Sequence, residues 1–221
     1  MGATLFAIVS WFCLCAASLT LAADFTDVGY SALQAELGGG TPTGAGVRAA
    51  QVEAPINDTS GGSAPIFMPN PSDAQFAGKV ITAQNGNASG TFSDHATVVG
   101  RLFYGNTSSI APGISQIAGY DANSWFNSLS SPSGNATTGP HRVTNHSWVG
   151  TGDMPSDTGQ ILRIVDRQVH ANESIQVVGL ANGPADSPLL GSAYNVISVG
   201  RTDGGHQRST VPVSGDDLYG A

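Results

Sequence analysis

Three observations predict an α/β fold, with a mostly parallel sheet covered by helices on both faces. Short apolar runs rich in β-branched residues recur along the chain, at 47–54, 116–121, 142–148, 175–181 and 195–201. Helix-like segments fall between them, at 93–103 and 158–169. Two of the runs, AAQVEA and SIQVVGLANG, end on a lone polar side chain, as strands do when their carboxyl ends face a ligand crevice.

Taken in chain order, residues 1–23 carry no charged side chain and finish in small residues, T-L-A and L-A-A, before Asp24. They are expected to be an export signal that is cleaved, although the run approaches the ~20 residues of a membrane anchor and lacks an early Lys or Arg. Both cysteines, Cys13 and Cys15, lie in it, so the processed chain is expected to contain no disulfide and no Cys-based metal site. Residues 24–45 form a lead-in, with a short helix at 30–37 and a Gly, Thr and Pro-rich turn at 38–46. Residues 46–221 carry the alternating strands and helices. Segments 56–73 and 122–140, dense in Asn, Ser, Gly and Pro, are expected to be surface loops.

Composition narrows the function. The 221 residues hold 29 Gly and only 11% charged side chains, which suits a turn-rich extracellular domain. Acidic residues outnumber basic ones 16 to 8, for a net charge of −8, which gives no electrostatic footprint for nucleic acid. A membrane enters only if the N-terminal segment is retained. Gly44 to Ala49 formally match a G-x-G-x-x-A dinucleotide fingerprint, but the glycines precede a β-like run instead of opening a helix. His141, His146, His170 and His206 show no H-E-x-x-H spacing, are expected at the surface or in loops, and support no transition metal.

The chemistry-bearing residues sit where strand runs stop or a helix begins. Glu53 ends the first strand; His95 opens the 93–103 helix in SDHATVVG, where Ser93 or Asp94 can cap it and turn the imidazole outward; Asn182 follows the 175–181 run. Each has a bland alternative as a solvated acid, a structural histidine or a turn asparagine.

Together these segments resemble, in order and over Gly44 to Gly204, the subtilisin-like serine proteases. GAGVRAAQVEA resembles that family's first strand and triad acid, SDHATVVG its H-x-T-x-V-A-G helix, and SSIAPGISQIAGY its G-V-A-P-x-A turn and strand. VTNHSWVG resembles its substrate-binding N-x-S-x-G-G strand, VVGLANG the strand ending in the oxyanion asparagine, and NVISVGRTDG the P-x-V-I-x-V-G-A segment. The resemblance implies that Glu53 orients His95, that His95 acts as general base, and that Asn182 donates to the oxyanion. It implies peptide or protein substrates that pair with the backbone at Ser147, Trp148 and Gly150, and it leaves room for structural calcium, though no D-x-D-x-D-G loop marks a site.

Three departures qualify it. Glu53 stands where the family places Asp, with Asp58 in the following loop the substitute acid; Val149 stands where it prefers Gly; and no G-T-S-x-A stretch occurs. Ser192, Ser209 and Ser214 lack the flanking residues of that motif. The expectation is therefore a secreted serine endopeptidase whose catalytic domain is incomplete at the C-terminus, without a nucleophile and inactive alone. The alternative is a non-catalytic, protease-like binding module.

Overall fold

The computed structural model describes residues 25–57, 64–129, 140–152, 155–183 and 187–207. The expected export segment, Asp58, Ser209 and Ser214 lie outside them. The frame is a six-stranded sheet made of β1 (Arg48–Glu53), β4 (Val80–Ala83), β5 (Gln116–Asp121), β6 (Val143–His146), β7 (Ile175–Gly179) and β8 (Ile197–Val199). Its order is β4-β5-β1-β6-β7-β8, and every neighbouring pair is parallel. A separate antiparallel pair joins β2 (Ile56–Asn57) to β3 (Pro65–Ile66). The helices are α1 (Tyr30–Leu37), α2 (Asp94–Tyr104), α3 (Ala122–Leu129) and α4 (Pro155–Asn172).

Side chains alternate across β1, and the two faces bury different cores. Ala49 packs with Phe76, Tyr104, Ile114 and Ile117 beneath α2. Val52 packs on the other face with Trp125, Phe126 and Leu129 of α3 and with Ile161, Leu162 and Val165 of α4. Helices thus cover both faces, as the sequence predicts. Each fully buried Leu or Val, such as Leu162 and Val165, contributes about 2 kcal/mol of burial free energy.

Register and connectivity place the site. Glu53 lies opposite Asp121 of β5, and Val52 opposite His146 of β6, so the carboxyl ends of these strands finish side by side. The chain leaves β1 toward β4 and leaves β6 toward β7, opposite directions along the sheet. In open parallel sheets that divergence opens a crevice beyond the strand ends.

The structure corrects several expectations. Residues 122–140 are not loop throughout: Ala122, Trp125, Phe126 and Leu129 make the buried face of α3, on a spacing masked by the intervening Asn and Ser residues. Within 56–73, the β2–β3 pair replaces part of the expected loop. Strand β4, V-I-T-A, is an edge strand with largely exposed side chains; it lies outside the runs expected as strands although Val80, Ile81 and Thr82 are β-branched. Helix α4 is longer than 158–169 by three residues at each end, starting at Pro155, where proline is tolerated in a first turn, and running to Asn172. The last strand is shorter than 195–201, spanning Ile197–Val199.

Candidate active site

Helix α2 carries His95 in its first turn. Ser93 caps the helix, its Oγ accepting from the Ala96 N–H at 3.1 Å, which fixes where α2 begins over the end of β1. His95 Nδ1 then meets Glu53 Oε2 at 2.8 Å. The acid is 2% exposed and the imidazole 57% exposed, so one partner is fixed in the protein and the other reaches solvent. With Glu53 ionised, Nδ1 carries the proton and Nε2 presents its lone pair outward; Nε2 has no hydrogen-bond partner among the described residues.

A buried carboxylate needs donors. The second oxygen of Glu53, Oε1, accepts from Gln51 Nε2 at 2.7 Å. The same Gln51 amide donates to the Ala96 carbonyl at 2.8 Å, and its Oε1 accepts from the Tyr104 hydroxyl at 2.6 Å. Burial pushes the Glu53 carboxyl up, opposed by the hydrogen bonds and charge of His95 and by Gln51. The hydrogen bond to Glu53 raises His95, opposed by partial burial. Burial, reinforced by the Glu53 charge, pushes the Tyr104 phenol far above its ordinary range, so the hydroxyl remains a donor.

Glycine makes room for this packing. A Cβ on Gly100 would stand 2.6 Å from the Tyr104 hydroxyl oxygen and 2.9 Å from Phe76 Cζ, and Tyr104 is fully buried. On β5, a Cβ at Gly119 would run into Met68 Sδ.

Asn182 lies beyond the carboxyl end of β7, two strands from β1, and its side chain makes no hydrogen bond to Glu53 or His95 among the described residues. Its backbone forms an antiparallel bridge with His206, reinforced by Gly183 N–H to Gly205 O at 2.9 Å and Gln207 N–H to Ala181 O at 2.9 Å. Ser147, half-buried, accepts from Asn145 Nδ2 at 2.8 Å. Trp148 gives its indole to the core against Phe126, with ring centroids 5.5 Å apart, so its contribution to a cleft is confined to its backbone. The N–H and C=O of Gly150 are both engaged by Leu189, at 3.3 and 3.0 Å, and a strand pairing there has to displace that bridge.

Two polar features lie outside what the sequence leads one to expect. Asp121, the register partner of Glu53, is buried; its carboxylate accepts from Asn85 Nδ2 and from the Ser124 N–H. The run QIAGYD ends on an acid as AAQVE does, and that parallel is the available signal. His146, expected at the surface, is instead fully buried, with its Nε2 on Gln176 Oε1 at 2.8 Å and its Nδ1 accepting from the Trp148 indole at 3.3 Å. Burial lowers its pKa to about 4, against the opposing Gln176 hydrogen bond. Among the described residues no three His, Cys, Asp or Glu side chains cluster to hold a metal ion, and no helix is long and apolar enough to cross a membrane.

The fold and site define an α/β protein with a buried-acid and exposed-imidazole pair at the strand ends. No family model matches the chain, and no curated protein matches it. Among solved structures it is similar to the prenylagaramide maturation protease PagA, at 13% identity over 69% of this chain and 52% of that one, with a TM-score of 0.45. It is also similar to a protease from Pseudoalteromonas arctica, at 20% identity over 72% and 57% of the two chains, with a TM-score of 0.39. The chain spans a little over half the length of these two proteases.

Proposed function

We propose that this chain belongs to a secreted serine endopeptidase of the subtilisin-like type, with Glu53 and His95 as its acid and base. The observation that carries the reading is the 2.8 Å contact between the buried Glu53 carboxylate and His95 Nδ1, which leaves Nε2 facing out. In this reading, His95 Nε2 takes the proton of a serine hydroxyl as that oxygen attacks the scissile carbonyl, then delivers it to the leaving amine. Glu53 holds the tautomer and stabilises the imidazolium. Asn182 donates to the oxyanion, and the substrate backbone runs along Ser147, Trp148 and Gly150. No serine in the printed sequence sits in a G-T-S-x-A setting, so the chain alone is inactive in this reading.

The test first reads the gene beyond codon 221, where a stop codon directly after Ala221 refutes the reading; where the frame continues, it compares this chain with the longer product, using a fluorophosphonate label and casein hydrolysis. The expected result is labelling and hydrolysis by the longer product only, both lost in His95→Ala. A longer product that neither labels nor cleaves, or one that keeps full activity in His95→Ala, refutes the reading.

A further inference from the structure

Glutamine is an unusual choice for the centre of a buried parallel strand, because its amide must find partners for two N–H groups and one oxygen without water. Gln51, 1% exposed, finds all three. Its Nε2 donates to Glu53 Oε1 and to the Ala96 carbonyl, and its Oε1 accepts from the Tyr104 hydroxyl. The amide orientation follows from chemistry: flipped, it would set Oε1 against a carboxylate oxygen and a carbonyl oxygen at once.

We propose that Gln51 and Tyr104 are positioning residues for His95, anchoring one oxygen of Glu53 so that a carboxylate longer than aspartate by one methylene presents its other oxygen to Nδ1. The proposal deepens the peptidase reading and rests on the Glu53–His95 pair that supports it. Glutamate carries an extra rotatable bond, so a carboxylate reaching from a strand end to a helix has orientations that miss the imidazole. The Gln51 amide removes them by holding Oε1 at 2.7 Å. It also grips α2 itself, since the Ala96 carbonyl belongs to the residue after His95; a single side chain thus ties the acid to the helix that carries the base. Tyr104, at the far end of α2, locks the amide in that orientation through its hydroxyl and is held over Gly100 and against Phe76, with ring centroids 5.2 Å apart in the latter contact. The span runs from Tyr104 through Gln51 and Glu53 to His95, and all its members but His95 are buried.

The experiment is an NMR titration of the imidazole nitrogens in this chain, which reads tautomer and protonation of His95 without needing a nucleophile. The His146 ring signals report whether each variant keeps its core. Wild type is expected to show the Nδ1–H tautomer and a His95 titration raised from the ordinary value. Gln51→Leu removes the donor to Glu53 and is expected to lower the His95 pKa by about half a unit to one unit, a three- to tenfold loss of proton affinity. Tyr104→Phe removes one oxygen and is expected to give a smaller drop in the same direction; it decides the matter if Gln51→Leu loses the His146 signals. His95 unmoved in the folded variants while Glu53→Gln lowers it overturns the proposal and leaves the peptidase reading standing. His95 unmoved in all three overturns the proposal together with the pair on which that reading rests.

Discussion

Lowering the pH from 7 to 4 forces a proton onto a histidine that the fold has no means of solvating. His146 is packed edge-on against Trp125, with ring centroids 4.4 Å apart, and both ring nitrogens are committed, to Gln176 and to the Trp148 indole. As an imidazolium it would carry a second N–H pointing at the Trp148 N–H, donor against donor, in a site without a counter-charge among these contacts. The folded pKa is about 4 against 6.5 for the free side chain. Native protein therefore binds fewer protons than unfolded protein between these values, and stability is complete above pH 6.5 and falls as pH drops through 4. The gap of roughly 2.5 pH units corresponds to about 3 kcal/mol. Most single domains have only 5–15 kcal/mol to lose. His95 acts with the opposite sign, since its pKa is raised by Glu53, so its contribution is present at low pH and is lost as pH rises through the folded value. The assay is urea unfolding followed by tryptophan fluorescence at half-unit steps from pH 7.5 to 4. His146→Gln is the comparison: it is expected to be less stable at pH 7 but to lose about 3 kcal/mol less on acidification. Parallel curves for the two proteins would refute the argument.

Two further perturbations address the helix that carries His95. Gly100→Ala should destabilise by about 1–3 kcal/mol although alanine is the better helix former by about 1 kcal/mol, because the new Cβ meets the immobile Tyr104 hydroxyl and Phe76 ring; a raised urea midpoint would contradict this. Ser93→Ala removes the oxygen that accepts from Ala96 N–H and should cost about 1 kcal/mol, with faster amide exchange confined to the first turn of α2 around His95.

Much of the sheet is legible in the sequence because its strands are apolar or β-branched runs bounded by turn residues; the Glu53 placement follows from where the first of them stops, and that of His95 from the Ser93 cap that opens α2. The misses share a cause: burial that comes from the tertiary surroundings instead of from composition. Helix α3 reads as a polar stretch until Trp125, Phe126 and Leu129 are seen on one face. His146 looks like one polar letter in VTNHSWVG, and its burial depends on Gln176 of β7, 30 residues away, and on Trp125 of α3. Asn182 is legible as a strand-end residue, but its bridge to His206 depends on how the following chain returns.

Gln51 gives the sharper lesson about reading a site from sequence. In RAAQVE it interrupts an apolar run, and the ordinary inference is a weaker strand. In a parallel strand covered on both faces, however, an amide is tolerated only if every polar atom is paired, so its presence implies partners before any are known. Alternation puts Gln51 and Glu53 on the same face of β1, two residues apart, which names the acid as one partner. That face is the one beneath α2, and a buried tyrosine there has a hydroxyl with the same need, which names Tyr104 as another. The longer acid and the buried amide are thus best understood together, since a glutamate on this strand without Gln51 would leave one carboxylate oxygen buried without a donor.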